Sequence, residues 1–243
     1  MKTVILAAGA GSRLKPLTDH IPKCLLKAGE KSILEMTIEN LLATGNTEII
    51  IVTGYLENKI REFILDKFPG ITVTFIHNSL FTSTNNIYSL WLAKDEVIGD
   101  DMMMMDSDII FNKQIITELL NSGYENCLAM KRHEVHDEEI KVKTDSEGRV
   151  LEIGKNVNPA DAAGESIGIE IFGKETLPEL FGLLEQMVVT ENKVNLFYEA
   201  AFQDLADKKK DLFVVDTTEY LCMEIDTRED LLLADELIRS HLK

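Results

Sequence analysis

Cysteine is scarce in this sequence, and no apolar run is long. Its three cysteines, Cys24, Cys127 and Cys222, are an odd number in apolar surroundings without the close pairs of a zinc site, so we expect buried thiols. No apolar run reaches the roughly 20 residues of a membrane-spanning helix, and Met1-Lys2 leads into an apolar strand without a secretory pattern. These absences predict a cytoplasmic protein without a membrane partner.

Positive charge is also scarce. The chain has 25 lysines and arginines against 42 aspartates and glutamates, a formal net charge of −17 at pH 7. A field of this sign repels nucleic acids and anionic membranes, so we expect neither as a partner. An anionic ligand must then be met by a local group of cations. Arg13, Lys15, Lys23 and Lys155 are the candidates, together with a bound metal ion.

Two common phosphate-binding loops are missing. A dinucleotide-binding loop requires Gly-x-Gly-x-x-Gly, but Leu14 stands at the third glycine position. The Gly-Lys-Ser/Thr of a P-loop is absent as well. Any phosphate site at the N-terminus must therefore be of another kind.

The first apolar run, residues 3–8, predicts a buried strand that leads into Gly9 and Gly11. Glycines let the backbone turn sharply and bring its N–H groups against an anion. Arg13 and Lys23 follow closely and add fixed positive charge. The stretch predicts a phosphate cradle formed by Leu6, Ala7, Ala8, Gly9, Ala10, Gly11, Ser12 and Arg13.

Strand and helix patterns alternate along the first half of the chain. Helices are predicted over residues 32–44 and 56–68, and strands over residues 48–52 and 71–76. With 243 residues, 45% of them hydrophobic, the chain can fill a sizeable core. Alternation with short connections predicts a parallel sheet covered by helices.

The second half of the chain has a different pattern. Extended runs at residues 126–132, 139–143 and 149–154, with a turn at 145–148, predict an antiparallel hairpin. No repeat, low-complexity tract or linker is visible. We therefore expect a single domain over residues 1–243, with an inserted lid hairpin at about residues 130–165. The remaining predicted elements are strands at 164–172 and 211–215 and helices at 174–187, 196–208 and 227–241.

Carboxylates stand at two positions that suit metal binding. Four consecutive methionines in the predicted strand 101–108 indicate burial on both faces, and Asp106 and Asp108 then emerge on one side of its C-terminal end. Such a pair can hold Mg²⁺, although turns use the same residues. Asp226 lies where a strand gives way to the last helix. It can reach the other two carboxylates or simply cap that helix.

A polar cluster at residues 83–86 precedes an apolar helical pattern. Ser83 or Thr84 can cap this helix. Asn85 and Asn86 each combine a donor with an acceptor, so they can hydrogen-bond a pyrimidine base. The same residue types also suit capping and turn formation alone.

Side chains that can recognise a cationic group occur mainly in the second half of the chain. Aromatic faces or carboxylates bind a quaternary ammonium group, but aromatic residues on helices more often belong to the core. Two of the candidate carboxylates, Glu165 and Glu199, suit a primary amine equally well. The full set is Trp91, Glu165, Phe172, Tyr198 and Glu199.

The N-terminal stretch resembles the opening signature of nucleotidyltransferases that activate sugar phosphates and similar small phosphates. The matching residues are Leu-Ala-Ala-Gly-Ala-Gly-Ser-Arg-Leu-Lys-Pro-Leu-Thr at 6–18 and Pro-Lys-Cys-Leu at 22–25. The Asp-x-Asp pair, a lysine after a central hairpin and Glu-Ile-Asp before the last helix follow in the same order. Residues 84–90, Thr-Asn-Asn-Ile-Tyr-Ser-Leu, are similar to cytidylyltransferases that act on phosphocholine and related small phosphates or phosphonates. Sugar-phosphate enzymes usually have a Gly-rich stretch there, and Glu-Lys-Pro where this chain has Ile-Gly-Lys-Asn at 153–156.

The resemblance implies an α/β fold, namely a Rossmann-like three-layer α/β/α fold with a mixed, mainly parallel central sheet and a small antiparallel lid. It implies Mg²⁺-dependent transfer of CMP from CTP to phosphocholine or a closely related acceptor, with release of pyrophosphate. Two other activities stay open: a 2-aminoethylphosphonate cytidylyltransferase, and a sugar-1-phosphate nucleotidyltransferase using UTP, dTTP or CTP. A nucleotide-sensing module without catalysis is an alternative function of another class. A homo-oligomer also stays open as the state of association.

The resemblance also assigns roles to individual residues. Arg13 on the β- and γ-phosphates and Lys23 between the α-phosphate and the acceptor are the implied catalytic residues. No general base is needed, because the acceptor phosphate is already ionised near neutral pH. The remaining implied contacts are Mg²⁺ on Asp106, Asp226 and Asp108; the nucleotide on Asp106, Asn85 and Asn86; and the acceptor on Lys155, Glu165, Tyr198 and Glu199.

Overall fold

The computed structural model describes residues 1–241. The strands in this part of the chain are β1 (Lys2–Ala7), β2 (Lys27–Ala28), β3 (Lys31–Ser32), β4 (Ile49–Thr53), β5 (Val73–His77), β6 (Met102–Asp106), β7 (Ile109–Phe111), β8 (Cys127–Lys131), β9 (Lys141–Thr144), β10 (Val150–Gly154), β11 (Gly164–Phe172), β12 (Phe213–Asp216) and β13 (Cys222–Glu224). The helices are α1 (Ile33–Ala43), α2 (Glu57–Lys67), α3 (Asn86–Leu92), α4 (Lys94–Val97), α5 (Gln114–Asn121), α6 (Leu177–Glu185), α7 (Glu199–Asp207) and α8 (Arg228–His241).

A mixed sheet forms the centre of the molecule. Its parallel part has the order β6-β1-β4-β5, with Leu6 of β1 between Asp106 of β6 and Val52 of β4. Strand β11 runs antiparallel to β6 and to β8, and β12 runs parallel to β8. The predicted fold class, a mainly parallel central sheet with flanking helices, is confirmed.

The sheet is covered on both faces because side chains alternate along each strand. Val4 and Leu6 of β1 pack into one apolar cluster with residues of α3, α6 and α7. Ile5 and Ala7 pack into a second cluster with residues of α1, α2 and α5. The four methionines of β6 divide in the same way between the two clusters, and all four are fully buried. This arrangement gives the predicted three layers.

The predicted hairpin consists of β9 and β10, joined by a turn in which Oδ1 of Asp145 accepts hydrogen bonds from the N–H groups of Glu147 and Arg149. Strand β9 also pairs with the first two residues of β11, Gly164 and Glu165. The hairpin therefore extends the edge of the main sheet and lies beside the strand that leads back into the core.

Three local features differ from the sequence-based expectations. Helix α3 is capped by Asn85, whose side chain accepts from the N–H of Asn86, whereas Ser83 and Thr84 donate to the Leu80 carbonyl one turn earlier. Helix α8 is preceded by Thr227, whose Oγ1 accepts from the N–H of Asp230 in a reciprocal capping arrangement, so Asp226 does not have the capping role. Strand β6 ends at Asp106, because residues 107–108 turn into β7.

Candidate active site

The predicted phosphate cradle, residues 6–13, begins with the last two residues of β1 and continues beyond it, at the carboxyl end of the parallel strands. Gly11 has φ +58°, and a Cβ atom there would lie 3.0 Å from Cβ of Lys23 and 3.2 Å from Cγ2 of Thr18. Thr18 also donates to the Gly11 carbonyl over 2.8 Å. Glycine is therefore required at this position both for the left-handed backbone and for the approach of Lys23.

The two predicted catalytic cations are held by carboxylates. Nζ of Lys23 lies 2.5 Å from Oδ2 of Asp108 and 2.6 Å from Oδ1 of Asp226. Arg13 donates through its NH2 nitrogen to the other oxygen of Asp226 over 2.6 Å. Burial alone would lower the pKa of Lys23, but its two carboxylate partners raise it above the usual lysine value. Lys23 is thus a permanently charged group in this site.

Three carboxylates converge around these cations. Oxygen atoms of Asp108, Glu224 and Asp226 lie within 4.8 Å of one another. Burial, followed by the charges of Asp108 and Asp226, raises the pKa of Glu224 to about 8. Burial acts in the same direction on Asp226, but hydrogen bonds and charge from Lys23 outweigh it and lower that pKa. Clustered carboxylate oxygens are the donor set that Mg²⁺ prefers, so the residues present fit this ion.

Glu224 had no role in the sequence-based site. Glu224 is the last residue of β13, and Asp226 follows it by two positions. This spacing brings both side chains to the same side of an extended chain. The Glu-Ile-Asp motif carried that signal, although only its aspartate was predicted to bind metal.

Asp106 has a different environment from the other three carboxylates. Its Oδ2 accepts a hydrogen bond of 2.8 Å from the Tyr198 hydroxyl. Burial, followed by the charges of Asp108 and Glu199, raises its pKa well above the usual range. A Cβ atom on Gly168 would lie 2.7 Å from the same oxygen. One side of this carboxylate is therefore closed in by the tyrosine and by the backbone of β11.

The two asparagines predicted to read the base lie at the start of α3. The backbone N–H of Asn85 donates to the Val194 carbonyl, and its Nδ2 approaches the Asn195 carbonyl at 3.4 Å. Oδ1 of Asn86 accepts from the backbone N–H of Tyr198 over 3.0 Å. The loop before α7 is therefore tied to this pair of asparagines.

Two of the predicted acceptor residues, Lys155 and Glu165, lie among other charged side chains that line the same cavity. Nζ of Lys155 lies 3.1 Å from a carboxylate oxygen of Glu138 and 5.0 Å from the centre of the Phe197 ring. Nε2 of His133 lies 3.1 Å from Glu139 and 3.5 Å from Glu165. These contacts place a mixture of acidic and basic side chains around Lys155 and Glu165.

The other acceptor candidates are more buried. Glu199 is only 6% exposed, its Oε2 has no hydrogen-bond partner within residues 1–241, and burial raises its pKa to about 7. Tyr198 is fully buried and uses its hydroxyl on Asp106, so it is not a free aromatic wall. Phe172 is fully buried in the core beside Phe202, and Trp91 packs against Tyr88 on α3. The expectation that Trp91 and Phe172 face the acceptor is wrong, because both rings pack against the apolar cluster under the sheet.

One cavity of about 760 Å³ joins these parts of the site. The residues with a predicted role in the site line it, except Ala10, Trp91 and Phe172. Lys15 is also outside it and pairs with Asp19 at 3.7 Å. Lining residues that the sequence-based site lacked include Asn78, Lys131, His133, Glu138, Glu139, Phe197 and Glu224. The buried Cys24 also lines the cavity, but burial raises the pKa of its thiol to about 12, as expected for an unreactive cysteine.

Residues 2–154, more than half of the chain, match the family model described as nucleotidyl transferase.

The chain belongs to the nucleotidyl transferase family.

Full-length relatives of this nucleotidyltransferase have cytidylyltransferase names. It is 29% identical to a CTP:phosphoglutamine cytidylyltransferase of Campylobacter jejuni, over 95% of this chain and 98% of that protein. It is 27% identical to a choline-phosphate cytidylyltransferase of Streptococcus pneumoniae, over 99% of each chain. The solved structure of a CTP:phosphocholine cytidylyltransferase from Streptococcus pneumoniae covers 98% of each chain with a TM-score of 0.83 at 25% identity. Within residues 1–241, no helix combines the length and the apolar composition that crossing a membrane requires.

Proposed function

We propose that this enzyme transfers CMP from CTP to phosphocholine or a closely related small phosphate or phosphonate, and releases pyrophosphate. The observation that supports this most is the position of Lys23, which joins the phosphate cradle to Asp108 and Asp226 inside the shared cavity. The names of the full-length relatives favour CTP and a small phosphorylated acceptor.

In this proposal the residues of the cradle hold the triphosphate. Arg13 binds the β- and γ-phosphates, and Lys23 lies between the α-phosphate and the acceptor. Both cations are paired with carboxylates in the structure. We infer that they exchange these carboxylates for phosphate oxygens when the nucleotide binds. Asn85 and Asn86 contact the cytosine or its ribose.

The chemical step is an in-line displacement at the α-phosphorus. An acceptor oxygen forms a bond to this phosphorus while the bond to the β-phosphate oxygen breaks, and pyrophosphate leaves with that electron pair. The acceptor oxygen is already ionised, so the protein's contribution is to position two anions and to neutralise their charge. Lys23 does this at the transferring group, and Lys155 does it at the acceptor phosphate. We propose that Asp106, Asp108, Glu224 and Asp226 hold Mg²⁺, which supplies further neutralisation of the phosphate oxygens.

A specific observation favours a second acceptor class, one that carries a primary amine, such as 2-aminoethylphosphonate. Two of the aromatic candidates are not among the residues that line the cavity, because Phe172 is buried in the core and Trp91 is partly buried against it, whereas carboxylates of Glu138, Glu139, Glu165 and Glu199 line the cavity. Carboxylates accept hydrogen bonds from N–H groups, which a quaternary ammonium lacks. The buried Oε2 atom of Glu199, which has no hydrogen-bond partner among the described residues, also gains from such a donor.

The test is pyrophosphate release with a matrix of nucleotides and acceptors in Mg²⁺. CTP, UTP and dTTP are each combined with phosphocholine, phosphoethanolamine, 2-aminoethylphosphonate and a hexose 1-phosphate. We expect turnover with CTP and at least one of the first three acceptors. Turnover only with the hexose phosphate, or only with UTP or dTTP, would overturn the cytidylyl assignment. If calorimetry detects CTP binding but no combination gives product, the protein is a nucleotide-sensing module instead.

A further inference from the structure

Tyr198 joins two parts of the site that are far apart in the sequence. Its hydroxyl donates to Oδ2 of Asp106 over 2.8 Å, and its backbone N–H donates to Oδ1 of Asn86 over 3.0 Å. The side chain is fully buried, and its ring packs against Phe202 with the centroids 5.2 Å apart. Tyr198 is thus fixed at both its backbone and its ring.

The carboxylate of Asp106 has little freedom on the side where Tyr198 approaches. Gly168 of β11 faces the same Oδ2, and its lack of a side chain leaves the space that this oxygen fills, since a Cβ atom would lie only 2.7 Å away. A hydrogen bond on one side and a close backbone on the other define the orientation of the carboxylate. Oδ2 of Asp106 accepts the hydrogen bond from Tyr198, whereas Oδ1 has no contact with the tyrosine hydroxyl.

The contact with Asn86 has a consequence for the nucleotide side of the cavity. A backbone N–H can only donate, so the Tyr198 contact fixes Oδ1 of Asn86 as an acceptor. This contact fixes the direction of the amide, so Asn86 can offer its Nδ2 donor to a ligand in addition to the second lone pair of Oδ1. The same tyrosine therefore sets the orientation of a residue that lines the nucleotide end and of a carboxylate at the metal end.

We propose that Tyr198 is a positioning residue, which orients Asp106 for binding a divalent cation and Asn86 for donating to the nucleotide, and is not an aromatic contact for the acceptor. The inference rests on the proposed metal role of Asp106. Partners of metal-binding carboxylates and histidines typically change metal affinity or activity by roughly ten- to a hundredfold when they are removed. Tyr198 should have an effect of this size through Asp106, without touching substrate.

The test uses Tyr198→Phe, which keeps the ring and removes the hydroxyl. Tyr220→Phe is the matched control, because Tyr220 also donates to a carboxylate, that of Glu118, over 2.9 Å, and lies outside the cavity. Asp106→Asn reports whether Asp106 binds metal at all. The readout is the dissociation constant of Mn²⁺ measured by electron paramagnetic resonance with CTP present, together with CTP binding in EDTA.

We expect Tyr198→Phe to weaken Mn²⁺ binding about tenfold or more, and Tyr220→Phe to leave it unchanged. CTP binding in EDTA should change less than the Mn²⁺ constant, and the circular dichroism spectrum should match that of the wild type. Asn86→Ala, which frees the backbone of Tyr198, should weaken Mn²⁺ binding in the same direction and provides a second variant if Tyr198→Phe does not fold.

Two results would overturn the inference, and they are distinguishable. If Asp106→Asn weakens Mn²⁺ binding but Tyr198→Phe does not, Tyr198 does not position the carboxylate. If neither variant changes Mn²⁺ binding, Asp106 is not a metal ligand, and the metal part of the proposed function fails together with the inference.

Discussion

Nζ of Lys23 lies 2.6 Å from Oδ1 of Asp226, although the two residues are 203 positions apart in the chain. This ion pair joins the loop after the first strand to the segment between the last strand and the last helix. Without Lys23, the cluster of Asp108, Glu224 and Asp226 loses one of the positive charges that balance its carboxylates. Catalysis and charge balance in the proposed site therefore depend on the same side chain.

Lys23→Ala should abolish most of the turnover. Loss of one charge that stabilises the transferring group typically lowers kcat by roughly 10²–10³-fold. Lys27→Ala, at an exposed position on β2, is the control. Steady-state rates and circular dichroism of both variants test this. A folded Lys23→Ala enzyme with a near-normal rate would remove Lys23 from the mechanism.

Gly11→Ala should lower the stability of the protein and also raise the KM for CTP. Alanine in the left-handed region costs about 1–2 kcal/mol of stability, and at this position its methyl group also contacts Lys23. Gly45→Ala is a matched control, because Gly45 has φ +81° but no atom within 4 Å of an added Cβ. Urea unfolding should show a loss in both variants, whereas the KM for CTP should rise only in Gly11→Ala. Equal KM values in the two variants would contradict the close approach of Lys23.

Glu199 should make the free energy of unfolding depend on pH. Burial raises its pKa from 4.5 to about 7, so between these values the folded protein binds a proton that the unfolded chain has released. The contribution to stability is present below about pH 4.5 and is lost as the pH rises to about 7, with an upper limit of about 3 kcal/mol. Glu199→Gln should therefore lose less stability over this range than the wild type.

Urea unfolding of the ligand-free protein at about pH 5 and about pH 8 measures this difference. Glu147→Gln, at an exposed turn position, is the control and should behave like the wild type. Asp106 and Glu170 also have raised pKa values, mainly from burial, so Glu199→Gln should retain part of the slope. An identical slope in Glu199→Gln and wild type would show that Glu199 does not titrate in this range.

Local sequence patterns predicted most of the fold. The methionines of β6 are buried on both faces, as their unbroken apolar run indicated, and β1 divides its side chains between two helical layers. Helix α5 was not predicted, although Ile115, Ile116 and Leu119 form its buried face. Its assigned N-cap residue, Lys113, makes no side-chain cap, but Oδ1 of Asn112 accepts from the N–H of Gln114, so a local signal for this eight-residue helix was present and was not used.

The composition of the site was harder to predict where long-range contacts decide it. The aromatic ring of Tyr198, next to Glu199, suggests an acceptor contact. Its actual partner, Asp106, is distant in the sequence, and nothing near Tyr198 indicates it. Glu224 is part of the Glu-Ile-Asp motif, but its proximity to Asp108 and Lys23, which come from distant segments, cannot be read from that motif. Cavity residues such as His133 and Glu139 lie in a connection between β8 and β9, where no regular pattern of side chains assigns them to one face.

The most direct test of the central claim is the mass of the product formed from CTP and the acceptor in Mg²⁺, recorded together with pyrophosphate. The account predicts equal amounts of pyrophosphate and of a compound in which CMP is joined to phosphocholine, or to an amine-bearing phosphate or phosphonate. Formation of a sugar nucleotide alone, or of CMP without a joined acceptor, would contradict it.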